Sequence, residues 1–320
     1  MSTEEHSNVP KVQLVEITEN HEDQRLDNFL LARLKGVPKS RIYRIVRKGE
    51  VRVNKGRVDV GYKLVIGDIV RIPPIRVSEK TPETFIAYNL QTLLNDGVLY
   101  EDDGFMIINK PAGFSVHGGS GVNAGIIEGL RLIRPNAPFL ELVHRLDKDT
   151  SGCLIIAKKR SALRQLHELF RTDHIHKTYT ALLAGQWARK KQIVDAPLQK
   201  NVSQGGERMV VISRAGKEAE TLFRRLQLFR EATLVEATPK TGRTHQIRVH
   251  AASLGHPIVG DERYGLDEIN RAFRARGYKR MFLHATTLAF QHPVTGQPLS
   301  VSAPLPESLQ RLLNQEPLKS

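Results

Sequence analysis

The sequence is poor in cysteine and in long apolar runs, and each shortage excludes a class of protein. Cys153 is the one cysteine among 320 residues, so neither an intrachain disulfide nor a zinc site built from several cysteines is available. No stretch approaches the roughly 20 apolar residues that cross a bilayer. The first 23 residues are polar and acidic and have no signal-peptide core. We therefore expect a soluble, cytoplasmic protein without a membrane segment.

Acidic residues are also few compared with basic ones. The 34 Asp and Glu residues face 48 Lys and Arg residues, and the net charge of +14 favours a polyanionic partner such as nucleic acid or an anionic membrane surface. Most of the excess lies in residues 31–76, which contain thirteen basic and three acidic residues. The length suggests about two domains, and the basic segment predicts that one of them binds nucleic acid.

Residues 40–49 have the pattern of a short helix with a basic face. Ser40 is a suitable N-cap and Gly49 a suitable residue after the last turn. One predicted face is apolar and contains Ile42, Ile45 and Val46. Together with the strand and turn that follow, the other face supplies the candidate RNA-phosphate ligands Arg41, Arg44, Arg47, Lys48, Arg52 and Lys55.

This segment resembles the RNA-binding domain named after ribosomal protein S-four. The resemblance rests on Arg25-Leu26-Asp27, on the helix at 40–49 and on the strand pattern at 51–54. It covers residues 21–76, which we predict to be a small basic α+β domain. We predict a flexible N-terminal segment at 1–20, and a linker at 77–96 that follows Pro73-Pro74.

Residues 97–320 are predicted to form a second domain of short strands and a few helices. Strand patterns occur at 98–100, 105–108, 154–157, 179–183 and 233–237, and helix patterns at 161–171 and 244–254. Because strands and helices do not alternate strictly, we expect an α+β domain built on a mixed, largely antiparallel sheet.

A polar loop at 144–152 contains Asp147 and Asp149 and precedes a buried strand. Its residues could form a purely structural turn. As an aspartic protease it would need a second Asp-Thr/Ser-Gly loop, which the sequence lacks. As a glycosidase it could use both carboxylates, which point the same way on an extended chain. A third chemistry uses one carboxylate to break a glycosidic bond without releasing the base, and the residues alone leave the last two open.

A second polar segment lies at 240–250. It could be an ordinary capped helix, or its N-terminal amides with Arg243 and Arg248 could bind a phosphate or a catalytic carboxylate. His245 and His250 are five residues apart, which is not the spacing of helical metal ligands, so we predict no metal site. At 179, a strand tyrosine is ordinary half-buried core, although an exposed Tyr179 ring could stack on a base.

These segments together resemble the pseudouridine synthases of the ribosomal large-subunit branch, which have an N-terminal S-four-type domain. The motifs follow the family order across residues 21–306. They comprise residues 108–113, 116–117, 144–152, 177–182, 242–250, 255–261 and 283–293.

The resemblance implies an isomerase that converts specific uridines of 23S ribosomal RNA to pseudouridine without a cofactor or metal. It makes Asp147 the catalytic aspartate and Arg248 its partner, with Tyr179 stacking on the base and Arg145 filling the space that the flipped uridine leaves. Arg243 is added to the RNA-binding residues, and Asp149 is expected to support the loop. We also expect a monomer. Two alternatives remain, a non-catalytic rRNA-binding or ribosome-assembly protein and an RNA N-glycosidase.

Overall fold

The computed structural model divides the chain into two compact units, residues 1–85 and 86–320. No helix among the residues that the structure describes is long and apolar enough to cross a membrane. Those residues are 12–34, 37–75, 88–118, 125–202, 208–315 and 317.

The first unit contains a three-stranded antiparallel sheet with strand order β1-β3-β2 and two α-helices. Its elements are β1 (Gln13–Glu16), α1 (Leu26–Arg33), α2 (Lys39–Arg47), β2 (Arg52–Val53) and β3 (Ile69–Ile72), with one turn of 3-10 helix at Glu19–His21. Apolar side chains from both helices and from β2 and β3 form one core, which includes Leu26, Leu30, Ile42, Val46, Val53 and Val70.

The predicted faces of α2 are confirmed. Ile42, Ile45 and Val46 are buried, whereas the arginines of this helix are exposed. The helix begins at Lys39, one residue before the predicted N-cap, and Gly49 follows it with a φ of +73°. Buried apolar contacts therefore fix one side of α2 and leave its basic side free for a ligand.

Two segments differ from the sequence expectation. Gln13–Glu16, expected to be flexible, pair with Ile69–Ile72. Backbone hydrogen bonds hold these residues, and one of their side chains is partly buried. The sequence therefore shows no alternating apolar pattern that would predict the strand. A helix, α3 (Tyr88–Asp96), occupies the end of the predicted linker, and its Leu94 joins the core of the second unit. The rest of that linker, up to residue 87, lies outside the described residues.

The second unit is built on a large twisted sheet. Its strands are β4 (Val98–Glu101), β5 (Phe105–Lys110), β6 (Glu141–Leu142), β7 (Ser151–Ala157), β8 (His176–Ala184), β9 (Lys191–Asp195), β10 (Leu198–Val202), β11 (Arg208–Ile212), β12 (Glu220–Leu228), β13 (Ala232–Pro239), β14 (Leu283–Gln291) and β15 (Pro298–Ser302). Its remaining helices are α4 (Ile126–Ile133), α5 (Arg160–Arg171), α6 (Gln246–Ser253), α7 (Asp267–Ala275) and α8 (Glu307–Gln315).

The sheet order is β4-β5-β7-β14-β8-β13-β12-β9, with β6 paired to β7 and β15 to β14, while β10 and β11 form a separate pair. Among the described strands, every pairing is antiparallel except that of β7 with β14. There Ser151 and Gly152 pair with His284 and Ala285. The predicted mixed, largely antiparallel sheet is confirmed.

The approach of β7 to β14 requires a glycine. Gly152 has a φ of +110°, and a side chain there would meet the backbone of Ala285. β7 is buried along its whole length. The loop that precedes β7 therefore ends at a rigidly held strand. That loop, the start of α6 and the start of β14 carry the polar residues described next.

Candidate active site

A cavity of about 1100 Å³ opens beside the loop that joins β6 to β7. Its lining combines residues from this loop, from the start of α6 and from the segments before α7 and β14. The polar members include Arg145, Asp147, Asp149, His245, Arg248, Asp261 and Arg280. The structure thus brings together Asp147, Arg145 and Arg248, which the sequence had placed in separate motifs.

A buried lysine holds the Asp147 loop. The Lys110 ammonium at the end of β5 is fully buried and donates to the carbonyl oxygens of Pro111, Lys148 and Thr150 at 2.8, 3.0 and 2.8 Å. Burial lowers the pKa of Lys110 to about 7, and the charge of Asp149 acts in the opposite direction. Three carbonyls match the three donors of an ammonium group, so Lys110 fixes the backbone on both sides of Asp149.

Arg248 joins two carboxylates. Its Nη1 donates to Oδ2 of Asp147 at 2.9 Å, while Nε and Nη2 donate to the two oxygens of Asp261 at 2.7 and 2.8 Å. The Asp147 side chain is 27% exposed, whereas that of Asp261 is fully buried. Arg248 therefore orients one oxygen of Asp147 and leaves Oδ1 for a substrate.

Asp261 is the fixed end of this arrangement. It also accepts the backbone N–H groups of Arg263 and Tyr264 at 2.9 and 3.1 Å. Burial acts to raise the pKa of Asp261, but these bonds and the charge of Arg248 outweigh it and lower the pKa. Burial likewise acts to lower the pKa of Arg248, and the two carboxylates reverse the effect. Both groups are charged at neutral pH, so a positive guanidinium lies beside the Asp147 carboxylate.

His245 faces the other oxygen of Asp147. It lies just before α6 with a φ of +53°, and its Nε2 is 3.8 Å from Oδ1 of Asp147. Its Nδ1 is 2.8 Å from the hydroxyl of Tyr264, which also accepts the N–H of Val210 at 3.1 Å. Burial lowers the pKa of His245, although Asp147 opposes the shift. The lowered pKa favours the neutral ring, whose Nε2 faces the carboxylate.

Tyr179 and Arg145 take different positions near Asp147. Tyr179 is partly buried in β8 between two apolar clusters and is not among the described residues that line the cavity. Burial and the negative charge of Asp147 raise its pKa. Arg145 is exposed on the cavity wall. Within the described residues, neither the Tyr179 hydroxyl nor the Arg145 guanidinium has a hydrogen-bond partner, and of the two it is Arg145 that faces the cavity.

Asp149 is exposed at the same cavity, and its carboxylate makes no hydrogen bond within the described part of the chain. The loop is held by the Lys110 side chain, whereas Asp149 contributes only its charge. Its expected supporting role stays a prediction.

The candidate RNA-binding residues lie on two surfaces. In the first unit they are all exposed: Arg41, Arg44, Arg47, Lys48, Arg52 and Lys55. Arg243 lies outside the Asp147 cavity and lines a separate one of about 430 Å³ with Lys200 and Lys217. Its Nε donates to the carbonyl of Glu218 at 2.9 Å. Arg243 and Arg248 therefore do not form one anion site.

His250 is turned away from His245. Its ring is buried, with Nδ1 2.9 Å from the Thr221 hydroxyl and Nε2 3.0 Å from the Ala196 carbonyl oxygen. In the described ranges, no group of three or more His, Cys, Asp or Glu residues is placed to hold a metal ion.

Sequence reasoning assigned no role to Asp261, Lys110, Tyr264 or Arg280. Lys110 and Asp261 lie in motifs that carry the family resemblance, which was the available signal. Nothing in the spacing of the sequence links Arg248 to a carboxylate thirteen residues later, because the contact depends on the turns between α6 and α7.

Comparisons with known proteins identify the family of the chain. Residues 104–253 match the family RNA pseudouridylate synthase, and residues 24–70 match the S4 domain. The chain is 55% identical to ribosomal large subunit pseudouridine synthase C of Yersinia pestis over 309 residues, which cover 96% of both chains. It is 54% identical to the protein of the same name from Escherichia coli (strain K12), with 95% of this chain and 96% of that protein covered.

Solved structures of similar proteins belong to the same family. Human RNA Pseudouridylate Synthase Domain Containing 4 has a TM-score of 0.58 and 29% identity, covering 70% of this chain and 96% of its own. Human RNA Pseudouridylate Synthase Domain Containing 1 has a TM-score of 0.55 and 25% identity at the same coverage. The predicted family is confirmed: this chain belongs to the pseudouridine synthases, and it carries an S4 domain before the catalytic one.

Proposed function

We propose that this protein isomerises uridines to pseudouridine in 23S ribosomal RNA and that Asp147 is its catalytic residue. The observation that carries the proposal is the pairing of Asp147 with Arg248, which leaves one carboxylate oxygen facing a cavity large enough for a nucleotide. The names of the large-subunit relatives support the substrate class. The relatives and the absence of a spanning helix among the described residues are also consistent with an enzyme that works in the cytoplasm, and we propose that it acts as a monomer.

The reaction breaks the bond between C1′ of the ribose and N1 of uracil, turns the base, and joins C1′ to C5. The proton on C5 is then lost and N1 gains one, so the product is an isomer of the substrate. Asp147 can act at the sugar only as an anion, and Arg248 favours that form when bound RNA excludes water. Since the base is never released, no second carboxylate is needed to activate water.

The neighbouring residues have distinct proposed roles. A uridine within RNA must leave its stack to reach Asp147, at a cost of a few kcal/mol. Arg145, exposed with a free guanidinium, would fill the space left behind. Tyr179, whose hydroxyl has no partner in the described part of the protein, would stack on the base. The basic face of α2 and Arg243 would contact phosphates and increase affinity.

The test compares Asp147→Asn with Asp149→Asn in the full chain. Tritium release from a 23S rRNA transcript labelled at C5 of uridine measures isomerisation, and filter binding measures affinity. We expect Asp147→Asn to abolish release while binding stays within a few-fold. Asp149→Asn makes the same charge change in the same loop and should retain activity, because its carboxylate does not pair with Arg248.

Three results would contradict the proposal. Normal release from Asp147→Asn would remove the catalytic assignment. Free uracil and abasic RNA from the wild-type protein would indicate an N-glycosidase. An equal loss of tritium release in Asp147→Asn and Asp149→Asn would support the same alternative, because a glycosidase would use both carboxylates. Unmodified RNA despite tight binding would indicate a non-catalytic rRNA-binding protein. Nucleoside analysis of the treated RNA separates these products.

A further inference from the structure

Arg280 is a second arginine on the wall of the Asp147 cavity, and the mechanism above does not use it. It lies three residues before β14 and is partly buried. Its Nη2 donates to the Ser151 hydroxyl at 2.8 Å, and its Nε makes a long contact of 3.4 Å with the Met281 carbonyl. The Nη2 end of the guanidinium is therefore held by Ser151, a residue of β7.

A chain of buried hydrogen bonds supports that end. The Ala303 carbonyl can only accept, so Nε2 of His284, 3.2 Å away, carries the proton. Nδ1 of His284 then accepts the Ser151 hydroxyl proton at 2.8 Å, which leaves the Ser151 oxygen free to accept from Arg280. Burial lowers the pKa of His284 to about 4, so the ring stays neutral. Ser151 and His284 are paired residues at the parallel junction of β7 and β14, which makes the support rigid.

The positive charge of Arg280 has no carboxylate partner among the residues that the structure describes. Within the described residues no Asp or Glu oxygen lies within 4.0 Å of it, whereas Arg248 in the same cavity has two such partners. Burial lowers the pKa of Arg280, and the charge of Asp149 acts only from a distance. Its Nη1 makes no hydrogen bond in the described structure. A partly buried cation without a counter-ion carries a desolvation cost that an anionic ligand would remove.

We propose that Arg280 binds a backbone phosphate adjacent to the flipped uridine. This inference rests on the proposed function, because it takes RNA as the ligand. A nucleotide flips by rotating about its backbone, so a uridine that reaches Asp147 brings its flanking phosphates to the same cavity. A guanidinium with free N–H groups matches phosphate oxygens in geometry and charge. Lys279, exposed on the same wall, supplies a second positive charge beside it.

This contact differs in purpose from those of the basic α2 face. Exposed arginines on α2 can attract any phosphate and add affinity. Arg280 is fixed relative to Asp147 through Ser151 and the parallel strand junction, so its phosphate would set which nucleotide stands opposite the catalytic carboxylate. Ser151 and His284 then act as positioning residues for Arg280.

The experiment is phosphate-ethylation interference with a 23S rRNA transcript. The transcript is ethylated at random, bound by the full-length protein, and the bound and free fractions are cleaved at the modified phosphates. Modified uridines are mapped on the same transcript. The variants are Arg280→Gln, Arg280→Lys and Ser151→Ala, and the matched control is Arg271→Gln, which removes an exposed arginine of α7 outside the cavity.

We expect the wild type and Arg271→Gln to show interference at a phosphate next to the modified uridine. In Arg280→Gln that one signal should disappear, with affinity lower by about tenfold and the slope of log K against log salt smaller by about 0.7–0.9. Arg280→Lys should keep the slope but lose affinity, because the charge remains while the fork is lost. Ser151→Ala should weaken the same signal and no other.

An unchanged interference pattern in Arg280→Gln, or in Ser151→Ala should the first variant not fold, overturns the phosphate contact. Pseudouridine formation by the wild type is read on the same RNA. If pseudouridine forms and the pattern does not change, only this inference fails. If no pseudouridine forms, the proposed function fails instead.

Discussion

Asp261→Asn tests whether the buried carboxylate orients Arg248 and, through it, Asp147. The Asp261 carboxylate accepts hydrogen bonds from Nε and Nη2 of Arg248 and from the backbone N–H groups of Arg263 and Tyr264. Asparagine keeps one acceptor oxygen and places an NH₂ group against donors at 2.7–2.9 Å. Removing one partner of a buried ion pair costs about 3–5 kcal/mol, and we expect a loss of unfolding free energy in that range.

Activity should fall as well. Arg248 would keep its hydrogen bond to Asp147 but lose the buried carboxylate that holds its other side. A displacement of about 1 Å in a catalytic group can lower the rate about 10²-fold. We therefore expect tritium release to drop by about two orders of magnitude, with RNA affinity little changed because the α2 face is untouched.

The assay has a convenient probe in the second unit. Trp187 is the one tryptophan of the sequence and packs in the same buried cluster as Ile247 and Ala251 of α6. Its fluorescence during urea denaturation reports the stability of the unit that holds the site. Glu262→Gln is the stability control, since Glu262 is 78% exposed and pairs with Arg274 at the surface; we expect a change below about 1 kcal/mol. Equal urea midpoints for the two variants at an unchanged m-value would refute the reasoning.

Two further expectations concern the first unit. Replacing the α2 arginines with glutamine (Arg41, Arg44 and Arg47) should reduce the slope of log K against log salt by about 2 units if each contacts one phosphate. The control removes three exposed arginines from α7 and α8 (Arg271, Arg274 and Arg311), and equal slopes for both triple variants would count against the α2 face. The Asp27 carboxylate accepts hydrogen bonds from the side chains of Arg25 and Tyr43 and from the backbone N–H of Asn28, which lower its pKa to about 2 despite burial. Its stabilisation is present above pH 4 and is lost as the pH falls towards 2, and we expect Asp27→Asn to remove roughly 1–2 kcal/mol of acid dependence from this unit. A circular-dichroism acid titration that is the same for both proteins would exclude that role.

Much of the fold could be predicted because local patterns agreed with the tertiary structure. The α2 faces and the hairpin of β4 and β5 follow the predicted apolar periodicity. The helix at 244–254 begins two residues later than predicted, because the backbone of His245 is left-handed there. β1 was missed because its stabilisation comes from backbone bonds. α3 was missed because, among the side chains of this helix that the structure describes, Leu94 is the one deeply buried apolar residue.

The pairing of Asp147 with Arg248 was predictable because the family motifs contain both residues. The residues that hold this pair in place were not predictable, since Lys110 acts on backbone carbonyls and Asp261 acts on Arg248 across a turn. Such contacts depend on three-dimensional distance and leave no periodic signal in the sequence.

The parallel junction of β7 and β14 also bears on the order in which the molecule matures. Ser151 and His284 are separated by 133 positions, and contacts that distant in sequence form late because a long loop must close first. The N-terminus of a nascent chain is synthesised first, so the S4 domain can be complete before β14 has been synthesised. During synthesis, RNA affinity would therefore precede a finished active centre, and a protein truncated before residue 283 would hold its nucleic acid without ordering the segment that carries the aspartate.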